Sequence, residues 1–521
     1  MRASFTLAWP ICWFIVAFGS TSALAGDSCP VGTDEQVLES LVPAKNLAPH
    51  LRRRWKSDLG HTRPGSGEPH LWRNDFRGRR PTEPAGPGVN REFGVTISDF
   101  QNMGPRVDRE VIVRLAHISD SHVFDEESPA RQYWSGWLVP TIYRYQEAHT
   151  TQILDAAVKT VNRLNECDES IDFAVLSGDL VNNHQRNELG WFVDVLDGRE
   201  VHPDSGADDD PLTGPDPHDP FLAEGLDIPW YATVGNHDLL FEGHSKTHLL
   251  TGSPTRSQAR FVVEPACDNM GSLPVICQID KPTSHYHHRR VDMVADDERA
   301  SVDKFEIIEA LLESTTSPKG HGFTPQHVEN QTAYWTATPK AGVPLRLINL
   351  DTSAPSGVFG RLDRQQLDFL ESELAHAEVS GELVVLTSHH SSMDLKSGWG
   401  RRLRRVLWRH PNVVLHLAGH RHRHRIRARQ PAILPPSWRP EQGYWEILTS
   451  SLIDWPQQLR LVEIGLGDDG LGAMRTTVVD YEAPPNSVAA DARFYALYGR
   501  QSPPQTLLVG GGSGKARDRN A

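Results

Sequence analysis

Five apolar runs in this chain each end abruptly in residues that can hold a metal ion. The first, Val111 to Ile118, is followed at once by Asp120 and His122. Ile171 to Leu176 ends in Ser177-Gly178-Asp179, and Trp230 to Val234 ends in Gly235-Asn236-His237-Asp238. Leu383 to Leu386 ends in Thr387-Ser388-His389-His390, and Val413 to Leu417 ends in Ala418-Gly419-His420-Arg421-His422. Short apolar runs of this kind read as strands buried in a parallel sheet. Ligands of open α/β sheets collect beyond the carboxyl ends of such strands. Five repetitions commit the chain to an α/β fold in which these ends meet.

The residue types fit one chemistry. Two carboxylates, an amide oxygen and several imidazoles suit divalent Zn, Mn or Fe. A lone Asp-x-His reads as an ordinary strand-end turn, and a lone His420 or His422 as a solvated surface histidine. It is the set, each member following an apolar strand, that points to metal. Glycines before Asp179, Asn236 and His420 are expected to permit the sharp turns that aim these side chains back over the sheet.

Length and charge set further bounds. A chain of 521 residues holds one large domain or two to three ordinary ones. Its net charge of −14 leaves no basic footprint for nucleic acid. An anionic substrate must therefore be attracted locally, by metal ions or a few arginines. At the N-terminus, Arg2, the apolar Phe5 to Gly19 and the Ala23-x-Ala25 site read as a signal peptide over residues 1–25. The protein is thus expected to be exported, periplasmic or secreted, with no membrane span once the signal is removed. The mature chain keeps Cys29, Cys167, Cys267 and Cys277, an even number that permits disulfides. The local pair Cys267 with Cys277 is favoured, leaving Cys29 with Cys167.

Residues 26–105, rich in Pro, Gly, Arg and His, read as an N-terminal extension, and 106–485 as the domain. Within it, Ile153, Leu154, Ala157, Val158, Val161 and Leu164 fall on one helical face. The 240–340 segment reads as an insertion or lid, with a helix near 302–313 and a solvated basic cluster at His285 to Arg290. Asp351 reads as a turn cap. Asp363 and Gln366 predict a capped helix start, and late strands are expected near 444–449, 459–464 and 474–481. Residues 486–521 read as a C-terminal tail with a disordered end.

With these motifs in place, the chain resembles the calcineurin-like metallophosphoesterases over roughly residues 111–425. Glu127-Ser-Pro-Ala-Arg131, Gln185-Arg-Asn-Glu-Leu-Gly-Trp191 and Gly320-His-Gly-Phe323 resemble an exported bacterial branch of that superfamily. The resemblance implies a double β-sheet sandwich flanked by helices, with a dinuclear metal site at the strand C-terminal ends. It implies two divalent or trivalent transition-metal ions, the first held by Asp120, His122, Asp179 and His422. The second would be held by Asp179, Asn236, His389 and His420, with Asp179 bridging and His390 as the alternative to His389. The implied activity is hydrolysis of small phosphate mono- or diesters by a metal-bridging hydroxide, with His237 as proton donor. Alternatives are a nucleotide or nucleoside-sugar diphosphate hydrolase, and a non-catalytic metal-binding protein of the same fold. Asn182 stands where the phosphatase branch has an acid partner for the catalytic histidine, and is expected to hold His237 without raising its basicity. Arg131 is a candidate phosphate-binding residue.

Overall fold

The computed structural model describes residues 70–75, 110–129, 144, 146–167, 170–206, 216–244, 253–265, 286–353, 357–429, 443–466, 471–484 and 487–501. In chain order the strands begin with β1 (His70–Asp75), β2 (Glu110–Ile118), β3 (Phe173–Leu176), β4 (Glu200–Val201), β5 (Phe221–Leu222) and β6 (Trp230–Ala232). A hairpin of β7 (Gln258–Pro265) and β8 (Tyr286–Met293) follows, then β9 (Trp335–Ala337), β10 (Leu345–Leu350) and β11 (Leu383–Ser388). The series ends with β12 (Val413–Ala418), β13 (Arg425–Arg429), β14 (Tyr444–Leu448), β15 (Gln458–Leu466) and β16 (Leu471–Asp480).

These strands build two six-stranded sheets, ordered β1-β16-β15-β2-β3-β6 and β13-β14-β12-β11-β10-β9. In the first, β2, β3 and β6 run parallel; in the second, β10, β11, β12 and β14 do. Alternation along the strands explains how the sheets pack. Leu345 and Leu347 of β10 and Val385 of β11 join a core shared with Val113 and Leu115 of β2. Their neighbours Ile348, Leu350, Val384 and Leu386 join a second core on the opposite face. The second sheet is thus buried on both sides, which is why its strands are apolar almost throughout.

Helices cover the outer faces. They are α1 (Thr150–Cys167), α2 (Arg186–Asp197), α3 (Lys304–Glu313), the short α4 (Pro325–Glu329), α5 (Arg364–Val379), α6 (Trp399–Leu407) and α7 (Val488–Gln501). All six apolar residues expected on one face of α1 are at most 1% exposed. Leu370 and Leu374 of α5 pack with Leu403 and Val406 of α6 on the outer core. Asp363 caps α5 by accepting from the Gln366 backbone, as expected. The Gln366 side chain does not return the bond; it donates to the Asp351 carbonyl and ties α5 to the turn after β10. Asp351 caps that turn at Ser353 and pairs with Lys304 of α3, which anchors the insertion to the second sheet.

Two segments depart from the expected boundaries. His70–Asp75, within the expected extension, pairs antiparallel with β16 at the edge of the first sheet. Residues 488–501, within the expected tail, are helical, and Ala489, Ala490 and Ala492 join the main core. The signal segment, Cys29, Cys267, Cys277, the side chain of Cys167 and the side chains of the His285 to Arg290 cluster lie outside the described residues. No described helix is long and apolar enough to cross a membrane.

Candidate metal centre

The parallel strands of both sheets deliver their carboxyl ends to one place. The turn after β2 is laced to the turn after β3, with Asp120 N donating to Gly178 O (3.2 Å) and His122 N to Asp179 O (3.0 Å). Asp120, His122, Asp179, His420 and His422 all adopt positive φ, between 46° and 68°. Each such residue costs on the order of 1–3 kcal/mol and persists only where its surroundings over-determine it. Five together at strand ends mark a built site.

The glycines serve two different purposes. Gly178, at φ 89°, makes the tight turn expected of it. Gly235 and Gly419 are needed for close approach instead. A Cβ on Gly235 would lie 2.1 Å from Asp179 N, and one on Gly419 would lie 2.2 Å from Ser119 Oγ. Sharp turning alone therefore does not account for these two positions.

Two pockets of donors result. In the first, donor atoms of Asp120, His122, Asp179 and His422 lie within 4.8 Å of one another. Nε2 of His422 is 3.3 Å from Asp120 Oδ1, and Nε2 of His122 is 3.7 Å from Asp179 Oδ2. In the second, Nε2 of His389 lies 3.1 Å from Asp179 Oδ2 and 3.0 Å from Asn236 Oδ1. Nδ1 of His420 lies 3.1 Å from the same Asn236 oxygen. Asp179 touches both pockets.

The far side of three of these rings is fixed. Nδ1 of His389 is 2.9 Å from the Ser177 carbonyl, and Nδ1 of His422 is 2.6 Å from Asp454 Oδ2. Nδ1 of His122 is 3.0 Å from Asn182 Oδ1. An acceptor on Nδ1 requires a proton there and leaves a lone pair on Nε2 of a neutral ring. His390 differs, since its Nδ1 meets Thr352 Oγ1 and its Nε2 meets the Val358 carbonyl. Both of its nitrogens are engaged, although the ring packs against His420 and shares the cluster with His389.

Charge follows the same pattern. Burial works against charge on His389, yet Asp179 overrides it and raises the imidazole to about 9. For His422, Asp120 and Asp454 outweigh burial and raise it to about 10. Burial alone would also raise Asp179, but His389 and His237 hold it well below the usual carboxylate range. Buried carboxylates at these two points demand positive charge beside them.

Asn182 does something other than expected. Its side chain faces His122, while only its backbone carbonyl, 3.0 Å from Nδ1, holds His237. The amide is thus spent on the ring of His122. Burial drives the His237 imidazole down to about 4, so the ring is neutral at pH 7. Arg131 lies outside the described residues.

Three contributors went unseen in the sequence. Asp454, in the turn after β14, holds His422 and is itself held by Nε of Arg144 at 2.6 Å. Gly243, at φ 70°, accepts from Asn236 Nδ2 and so turns the amide oxygen toward His389 and His420. A Cβ there would also lie 2.4 Å from His237 Nε2. None of the three carries a local metal motif. The single available signal was that β14 is another parallel strand whose end, Thr449 to Asp454, is polar and acidic.

A family model described as calcineurin-like phosphoesterase matches residues 113–424. Among solved structures, the chain is similar to a dimetal phosphatase from Danio rerio at 14% identity and TM-score 0.37, covering 71% of this chain and 100% of that one. It is similar to the calcineurin-like phosphoesterase YfkN from Bacillus subtilis at 9% identity and TM-score 0.29, covering 75% and 98%. It is also similar to PhoD at 11% identity and TM-score 0.29, covering 77% and 73%. No curated protein matches. The family match takes in more than half of the 521 residues and every strand-end motif, so the chain belongs to the calcineurin-like phosphoesterases, dinuclear-metal-dependent hydrolases of phosphoester bonds.

Proposed function

We propose that the protein is an exported phosphoesterase that hydrolyses small phosphate mono- or diesters at two transition-metal ions. One observation carries the reading. Nε2 of His122 and Nε2 of His422 face each other at 3.1 Å, while both Nδ1 atoms stand against acceptors. Without metal the raised His422 ring is charged and can donate from Nε2 to the lone pair of His122; a cation between the rings would replace that proton and take a lone pair from each. His389 Nε2 against Asn236 Oδ1 repeats the motif in the second pocket, where the Asn236 amide nitrogen is committed to Gly243.

The donor set therefore fits the group. In this reading Asp120, His122, Asp179 and His422 hold one ion, and Asp179, Asn236, His389 and His420 hold the other. His389 is preferred to His390 because its Nε2 faces the other candidate ligands, Asp179 and Asn236, whereas both nitrogens of His390 face Thr352 and Val358. A metal pair supplies Lewis acidity toward the phosphate oxygens and a nucleophile at neutral pH. Asn182 and Asp454 fix ring tautomers, as outer partners of metal-bound histidines do. His237 is half-buried, with Nδ1 pinned to a carbonyl, so Nε2 is the nitrogen that would meet substrate. Donation from Nε2 needs the imidazolium form, which takes its second proton from solvent and would be favoured by the negative charge of a bound phosphate beside it.

Export rests on the N-terminal segment. The test is a screen of the purified protein, reconstituted with Mn, Fe or Zn, against p-nitrophenyl phosphate, bis-p-nitrophenyl phosphate and nucleoside-sugar diphosphates. At least one ester should turn over, with loss on chelation and recovery on metal return. Two bound ions with no turnover of any ester would instead make this a metal-binding protein of the same fold.

A further inference from the structure

The chain carries a net charge of −14, yet between Leu395 and Arg429 it has ten arginines, one lysine and no acidic residue. Five of these arginines occupy every second position beyond His420: Arg421, Arg423, Arg425, Arg427 and Arg429. The last three lie on β13, the edge of the second sheet among the described strands. Side chains alternate along a strand, so these three share one face, about 6–7 Å apart, while Ile426 packs against the core between the sheets.

The ends of the row are neutralised by the protein itself, Arg421 by Asp394 and Arg429 by Glu446. The middle is not. The side chains of Arg423, Arg425 and Arg427 make no hydrogen bond or ion pair with any described residue. Nε of Arg423 is buried without a partner among the described residues. Burial and the charges of Arg427, Arg423 and Arg429 all work against the charge on Arg425, and Glu446 alone favours it. Such crowding is unfavourable unless an anion relieves it. Its position matters too. Arg425 pairs in register with Leu448, the last residue of β14, at the sheet end that carries His420 and His422. The row therefore starts at the rim of the metal centre.

We propose that Arg423, Arg425 and Arg427 form a subsite for a second, non-scissile phosphate, so that the substrate class is a small phosphoester bearing at least one further phosphate group. The proposal rests on the phosphoesterase reading of the metal centre. Guanidinium is the group suited to it, because its planar fork pairs with phosphate oxygens two at a time.

The test uses two sugars that differ by one phosphate. Fructose 6-phosphate and fructose 1,6-bisphosphate compete against p-nitrophenyl phosphate on the metal-loaded full chain. Calorimetric titration with the same two sugars reads binding without turnover. The bisphosphate should bind about tenfold or more tighter, as charged hydrogen bonds allow. In the Arg423→Gln/Arg425→Gln/Arg427→Gln protein the ratio should fall to near one. Arg427→Gln alone, at an exposed position, should lower it part of the way and serves if the triple variant does not fold. Equal affinities in the unaltered chain, or a ratio that survives the substitutions, would overturn the subsite. If no ester is hydrolysed but calorimetry shows the ratio and its loss, the phosphoesterase reading fails while the subsite stands.

Discussion

Replacing Asp454 by asparagine separates the metal centre from the fold that carries it. One carboxylate oxygen lies 2.6 Å from His422 Nδ1 and the other 2.6 Å from Arg144 Nε. The amide has nearly the same shape, so its oxygen can keep Arg144. Its NH2 is then left facing His422. An NH2 cannot accept the Nδ1 proton, so the ring must move that proton to Nε2, which then turns a proton and not a lone pair toward the first pocket. Loss of an outer partner of a metal-bound histidine costs on the order of 10–100-fold in affinity. That is about 1.4–2.7 kcal/mol, close to the roughly 1.5–3 kcal/mol expected of a hydrogen bond to a charged group. The fold should suffer less. Removing one partner of a buried pair costs roughly 3–5 kcal/mol, but Arg144 keeps an acceptor and part of that is spared. The assay is a metal titration against a chromogenic chelator, run beside thermal melting of the metal-free protein. One of two ions should weaken 10–100-fold, with the other changed little. If the variant melts lower yet binds both ions as the parent does, Asp454 is only the counter-ion of Arg144 and the tautomer argument is wrong.

Other outcomes follow from the same geometry. His389 and His422, held at about 9 and about 10 without metal, are charged at pH 7 and must be neutral to ligate. Affinity should therefore rise with pH, up to about 9 at the His389 pocket and about 10 at the His422 pocket, by roughly tenfold per unit for each proton released; calorimetry in two buffers of different ionisation heat counts those protons, and a flat profile from pH 7 to 8.5 would contradict it. His237→Ala should keep both ions and slow alkyl esters roughly 10²–10⁴-fold, with a smaller loss for p-nitrophenyl esters; equal losses would make His237 a phosphate-binding group only. Asn182→Asp should tighten metal at the first pocket through His122 and leave the alkaline limb of the rate profile unmoved, whereas a shifted limb would return Asn182 to His237. Gly243→Ala should cost metal at the second pocket and activity together, because its Cβ would stand 2.4 Å from both Asn236 Nδ2 and His237 Nε2; unchanged metal content would show that the loop yields.

The parts legible in the sequence were those written locally. Strands β2, β3, β6, β11 and β12 announce themselves as apolar runs because each is buried, and their ends carry the ligating residue types within four positions. The face of α1 was legible for the same reason of periodicity. What escaped depends on contacts between distant segments. Asp454 lies 32 residues beyond His422 and joins it only because β14 runs parallel beside β12. The choice of Asn182 between His122 and His237 is decided by which of its groups points where, a matter of one rotamer. β1 and β13 are edge strands with polar sequences, and an edge needs no apolar run to pair.

The central claim is that Asp179 serves two ions at once, since its Oδ2 lies 3.7 Å from His122 Nε2 and 3.1 Å from His389 Nε2. Elemental analysis of the reconstituted protein and of Asp179→Asn tests it directly. About two transition-metal ions per chain are expected in the first, and a greater loss in Asp179→Asn than in any other single-ligand variant. One ion or none in the unaltered protein, or an Asp179→Asn protein that still binds two, would contradict it.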